Sequence, residues 1–200
     1  MRNLEFEKAE KVLDNSGVIA FPTETVMGLG VYFDDKKAYD YLNEIKRRPE
    51  DKPYTLMLSN IKDIEKYAYI SDDASKIIKA FMPGSITILL KAKDTVPGYV
   101  HHNSGVIGIR VPDVKKTLEL LSYLEKPLLV PSANRSGEKP ALDSNEVKKI
   151  FKDEVGYILE GKSTGGVPST IVDLAGEQVK ILREGPIRES EILSVLKGDK

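Results

Sequence analysis

The residues of this 200-residue chain whose types and spacing suit chemistry are small hydroxyl side chains and cations. Thr23 and Thr25 follow one apolar run, and Ser132 and Asn134 follow another within Pro131-Ser132-Ala133-Asn134-Arg135-Ser136-Gly137. Ser169 precedes a third. Lys46, Arg48 and Lys52 make a basic group, Arg110 interrupts the apolar Gly108-Ile109-Arg110-Val111-Pro112, and Arg183 sits in Ile181-Leu182-Arg183-Glu184-Gly185. A guanidinium inside an apolar strand loses hydration and calls for an anion beside it. A ligand phosphate answers that demand; an arginine on the solvent face of its strand is the plainer reading. The basic group reads either as a solvated helix end that complements the helix dipole or as a contact for triphosphate or RNA backbone. The Pro131 to Gly137 segment falls directly after a buried strand, where open α/β sheets bind ligands, though its residues also suit an ordinary turn.

Several chemistries are excluded. The chain has no cysteine, which removes disulfides, thiolate nucleophiles and Cys-ligated metals together and fits an intracellular, cytoplasmic setting. It lacks the G-x-x-x-x-G-K-[ST] phosphate loop, the G-x-G-x-x-G dinucleotide fingerprint and the G-x-S-x-G nucleophile elbow. Its two histidines, His101 and His102, are sequence neighbours whose side chains diverge, so they read as surface residues and no protein metal site is expected. What remains is catalysis by positioning and charge neutralisation. The net charge of -1 makes any recognition of phosphate or nucleic acid a local matter. No signal-like apolar segment opens the chain, and no run approaches the ~18 apolar residues of a membrane span.

These side chains must be held by regular elements, and the apolar periodicity supplies them. Phe6, Ala9 and Leu13 predict a first helix capped by Asn3; Val18 to Phe21 predicts a strand broken by Pro22, with Gly28-Leu29-Gly30 as a loop. Ala38, Tyr41, Leu42 and Ile45 predict a helix over 35–46, and Ala74, Ile77, Ile78 and Phe81 another that stops at Pro83-Gly84. Strands are expected at 54–58, 86–90, 106–111 and 128–130, with a short helix through Leu118, Leu121 and Leu124. Val147, Ile150 and Phe151 mark a further helix. Strands at 157–159, 170–174 and 179–182 and a helix at 189–196 complete the chain. At 40% hydrophobic residues and with no repeat or linker, the whole of 1–200 reads as one α/β domain.

In this order, FPTETVMGLG (21–30), KRRPEDKP (46–53), MPGSITILLKA (82–92), GIRVPD (108–113), PSANRSG (131–137), PSTIVDL (168–174) and ILREGPI resemble the YrdC-like family of threonylcarbamoyl-AMP synthases. The resemblance implies an α/β (α+β) fold, a twisted mixed sheet flanked by helices around a large basic cavity. It also implies the reaction of L-threonine, bicarbonate and ATP to threonylcarbamoyl-AMP and pyrophosphate. By motif position, Thr25, Met57, Arg110, Val130 and Ser169 fall in the threonine pocket, with Arg110 facing the carboxylate. Arg48, Lys52, Val106, Ser132, Ala141 and Arg183 fall in the ATP set. Lys46 and Arg48 act on the phosphates, and Mg2+ arrives on the nucleotide. The implied destination is tRNA or the complex that transfers the threonylcarbamoyl group to it. A double-stranded RNA-binding module and a divergent paralogue on the same fold are the alternatives. Carbamoyl-AMP chemistry of the hydrogenase-maturation type is disfavoured by missing accompanying domains. Met27, where the family often carries an aromatic residue, and Met57, where several members carry a polar one, are this chain's departures. Ending soon after ILREGPI, the chain matches the family's short form.

Overall fold

The structure, a computed structural model, describes residues 3–47 and 53–198. Nine strands form one mixed sheet in the order β7-β1-β2-β6-β3-β5-β4-β8-β9. They are β1 (Ile19–Phe21), β2 (Gly28–Tyr32), β3 (Thr55–Met57), β4 (Ile86–Lys91), β5 (Val106–Arg110), β6 (Leu128–Val130), β7 (Tyr157–Ile158), β8 (Thr170–Asp173) and β9 (Lys180–Arg183). The helices are α1 (Leu4–Asp14), α2 (Lys36–Lys46), α3 (Ile64–Tyr67), α4 (Asp72–Phe81), α5 (Lys115–Leu124), α6 (Ser144–Phe151) and α7 (Glu189–Lys197). Side-chain caps fix several starts: the Asn3 carboxamide accepts from Glu5 N–H, Asp35 from Ala38 N–H, and Ser71 from Ala74 N–H.

The helices divide unequally between the two faces of the sheet. Apolar residues of α2, α4, α6 and α7 join Leu29, Val31, Leu56, Ile88, Ile109 and Val172 in the larger core. On the other face, Phe6, Ala9 and Leu13 of α1 and Leu120, Leu121 and Leu124 of α5 cover Ile19, Phe21, Tyr32, Leu128, Val130 and Met57. That second cover stops at β3. Arg110 of β5, Thr87 of β4 and Ile171 of β8 lie beyond it, so the sheet meets a cavity there instead of a helix.

The segment Gly28-Leu29-Gly30, expected as a loop, is the start of β2, with Ala20 registered against Leu29 and Ile19 against Gly30. The glycines are there for close packing. A Cβ on Gly30 would stand 2.7 Å from a Phe21 ring carbon, and one on Gly28 would stand 2.8 Å from Val130. Their absence lets the fully buried Phe21 ring lie across the neighbouring strand. The short helix α3 also escaped the periodicity, since it contributes a single buried residue, Ile64. No helix among the described residues is long and apolar enough to cross a membrane.

Candidate active site

The cavity is built on one row of residues crossing five adjacent strands. Met57 is registered with Arg110, Thr87 with Ile171 and Ile171 with Arg183, while the Ile88–Ile109 pair sets Thr87 opposite Arg110. Because side chains alternate between faces with period two, all five point to the face that α1 and α5 leave uncovered. Thr55 and Val130, themselves registered, start a second row. Loops close the sides: Thr23, Thr25, Val26 and Met27 after β1, Pro131 and Ser132 after β6, and Pro168 and Ser169 before β8.

The sequence-selected residues Thr25, Met57, Arg110, Val130, Ser132, Ser169 and Arg183 all line this cavity. Its volume is about 180 Å³. Pockets for drug-sized ligands are ~300–1,000 Å³, so this smaller cavity suits an amino acid, and a nucleotide has to extend beyond it.

Arg110 is 6% exposed, and the anion it requires is internal: Nη2 donates to Glu24 Oε1 at 2.6 Å and to Thr25 Oγ1 at 3.0 Å, while Nε donates to Gly84 O. Glu24 Oε2 in turn accepts from Asp113 N–H. Glu24, rather than the ligand anion expected beside Arg110, is what stabilises it here. Both Nη2 protons and the Nε proton are committed. Nη1 has no hydrogen bond, yet no fully buried side-chain nitrogen or oxygen among the described residues lacks one, so Nη1 opens on the cavity.

Hydroxyl directions follow from the same accounting. Thr23 Oγ1 donates to Val26 O, so in its 2.8 Å contact with Thr25 the Thr25 hydroxyl is the donor. Thr25 Oγ1 thus accepts from Arg110 and keeps a lone pair for a ligand. Ser132 Oγ is 2.7 Å from Asn134 Oδ1, which also accepts from the Lys46 ammonium, while Asn134 Nδ2 donates to Arg135 O and Glu138 O. The two carbonyls and the ammonium fix the amide orientation. Ser132 is therefore the donor to Asn134.

Arg183 is arranged differently. Nε donates to Ser169 O at 2.9 Å and Nη2 to Ser169 Oγ at 3.3 Å, and Ser169 Oγ also meets Thr87 Oγ1 at 2.9 Å. No carboxylate pairs with it among the described residues; Glu184 turns away to accept from Glu189 N–H at the start of α7. Arg183 is exposed as a residue, yet partial desolvation of its guanidinium and, second, the Arg110 charge push its pKa below the ordinary arginine value. The guanidinium stays cationic at any ordinary pH.

Lys46 requires a correction. It is neither a solvated helix end nor poised over phosphates: it is 1% exposed, and its Nζ donates to Ser132 O at 2.6 Å, Asn134 O at 2.8 Å and Asn134 Oδ1 at 3.2 Å. Its position on the buried stripe Ala38, Leu42, Ile45, Lys46 of α2 is the signal that foretells this. Arg135, bound to Ile45 O and to both Glu154 carboxylate oxygens, and Ser136 N–H, bound to Lys46 O, complete the junction of α2 with the loop after β6. Arg48 and Lys52 lie outside the described residues.

Val106 and Ala141 are not part of the lining. Val106 is half-buried on the cavity side of β5, four residues before Arg110. Ala141 is buried, and it braces two walls by accepting from Met27 N–H and donating to Ala133 O. The histidines lie elsewhere, His102 Nε2 being 3.4 Å from the Tyr39 hydroxyl. Sequence reasoning missed Glu24, Thr87 and Arg135. For Thr87 the signal was the alternation Ile86-Thr87-Ile88, which sends a hydroxyl to the face opposite the core; for Glu24 and Arg135 the partners lie far away in sequence.

The cavity thus presents two guanidiniums and an array of hydroxyls on one face of the sheet. The comparisons with known proteins are specific. A family model, Sua5/YciO/YrdC, described as "telomere recombination", matches residues 11–185, and the chain belongs to that family. An uncharacterised protein of Haemophilus influenzae is 35% identical over 181 residues, covering 89% of this chain and 87% of its own length. The threonylcarbamoyl-AMP synthase of Pyrococcus abyssi is 33% identical over 181 residues, 90% of this chain but 53% of that protein. The crystal structure of P. abyssi Sua5 complexed with L-threonine superposes with a TM-score of 0.91 at 31% identity, over 98% of this chain and 58% of the other. The chain thus spans little more than half the length of that synthase.

Proposed function

We propose that the protein is an L-threonylcarbamoyladenylate synthase, a nucleotidyltransferase. The observation that carries this reading is the convergence of Arg110 and Arg183 on one amino-acid-sized cavity whose nearby carboxylate, Glu24, is turned to Arg110. The similarity to proteins named threonylcarbamoyl-AMP synthase, and to one complexed with L-threonine, supports it.

Threonine lies in the closed part, its carboxylate at Arg110 Nη1 and Ser169, its amino or hydroxyl group at the Thr25 lone pair, and its methyl group against Met57 and Val130. Bicarbonate and the threonine nitrogen form a carbamate with loss of water. A carbamate oxygen then bonds to the α-phosphorus of ATP, the bond to the β-phosphate oxygen breaks, and pyrophosphate leaves with its electron pair. No protein nucleophile takes part; alignment and neutralised charge lower the barrier. Arg183, Arg48 and Lys52 take the phosphates, Ser132 contacts the nucleotide, and Val106 and Ala141 border the adenosine. Lys46 acts beneath the surface by holding the Ser132–Asn134 loop. Mg2+ arrives on the phosphates: among the described residues no cluster of three or more His, Asp or Glu offers it a cage, and Glu24 is engaged with Arg110 and Asp113. The product passes to tRNA or to the complex that modifies it.

The experiment is pyrophosphate release by the purified protein with each substrate omitted in turn. Release should require threonine, bicarbonate and ATP together; release without threonine would sink the proposal.

A further inference from the structure

Two guanidiniums in one cavity create a sorting problem, because a triphosphate is the stronger anion and could take both places. The two differ in one respect that answers it. Arg110 has a carboxylate 2.6 Å away, held by a second bond from Asp113 N–H, and retains only Nη1 for a ligand. Arg183 bonds only Ser169, with Nε and one Nη2 proton, so its Nη1–Nη2 edge stays open as a two-nitrogen fork for phosphate or carboxylate. Glu24 is 17% exposed in its side chain and lies behind Arg110, outside the cavity lining. Its charge therefore acts on the cavity through Arg110.

We infer that Glu24 is the positioning residue that divides the cavity. By neutralising Arg110 and occupying its Nη2, it confines Arg110 to a single-nitrogen contact with the amino-acid carboxylate and leaves Arg183 as the phosphate fork. Without Glu24, Arg110 becomes a second phosphate site and threonine loses its place to phosphate. The inference rests on the proposed pairing of an amino acid with a polyphosphate in this cavity.

Calorimetric titration with inorganic phosphate and with threonine, at low ionic strength where exposed charges are least screened, tests it. The wild-type protein should bind one phosphate, bind it more weakly with Arg183→Ala, and bind threonine equally well with phosphate present. Glu24→Gln should gain a second phosphate, make phosphate compete with threonine, and weaken threonine about tenfold when phosphate is at roughly ten times its own Kd for the new site. Glu24→Gln with Arg183→Ala should bind one phosphate more than Arg183→Ala alone. Because the Gln amide turns a donor toward Asp113 N–H, Glu24→Met is measured beside it. Competition between phosphate and threonine in the wild-type protein, decisive even if neither variant folds, would overturn the inference, as would folded variants that keep one phosphate and no competition. Failure of the wild-type protein to bind threonine would count against the proposed function instead, and the phosphate stoichiometry would still decide the role of Glu24.

Discussion

The Arg110 corner and the Arg183 corner of the cavity use the same side chain under opposite conditions. Arg110 is buried, paired with a carboxylate and bonded through two of its three nitrogens; Arg183 stands on the edge strand β9, bonded to one serine and paired with no described carboxylate. Taking a cation out of water and leaving it unpaired is costly, so the buried corner is completed by the protein itself. The edge position keeps enough water around Arg183 to leave it uncompensated until an anion arrives. One corner belongs to the fold as much as to the ligand; the other is reserved for the ligand.

Substitutions should break that symmetry of residue type. Arg110→Ala leaves the partly buried Glu24 without its cation and should lower stability by about 2–3 kcal/mol in urea unfolding, while raising the Michaelis constant for threonine more than that for ATP. Arg183→Ala should shift stability by only about 0.5 kcal/mol yet raise the Michaelis constant for ATP about thirtyfold, roughly 2 kcal/mol. If both variants lose stability alike, the corners are not different in kind. Lys46→Met removes the donor from two carbonyls and an amide; a stability loss of about 1–3 kcal/mol with a weakened ATP constant and a nearly unchanged threonine constant is expected. The mildest change, Ser132→Ala, should cost roughly 0.5–1.5 kcal/mol of ATP affinity alone. Equal effects on both substrates would erase the proposed division.

Legibility followed sequence distance. The demand of Arg110 for an anion was readable from its apolar strand, but its partner Glu24 is 86 residues away and became visible only when β5 and the loop after β1 met. Neither reading of Lys46, as a phosphate contact or as a solvated helix end, foresaw its burial, for a related reason. Its charge dominated the reading of a basic run, while its place on the apolar stripe of α2 determined its burial. Gly28 and Gly30 were read as part of a loop when they begin β2 and serve close approach to Val130 and Phe21. By contrast Ser132, Ser169 and Arg183 were recognisable because each lies at a strand end, where local pattern and site coincide.

The division of the cavity matters only if both substrates meet in it, and the product records that meeting. Incubation with ATP, L-threonine and 13C-labelled bicarbonate, followed by mass spectrometry of the nucleotide fraction, should yield an adenylate carrying both threonine and the label, formed with equimolar pyrophosphate and, at ATP well below its Michaelis constant, about thirtyfold more slowly with Arg183→Ala. An adenylate without the label, or ATP consumed to ADP and phosphate with no threonine adduct, would contradict the account.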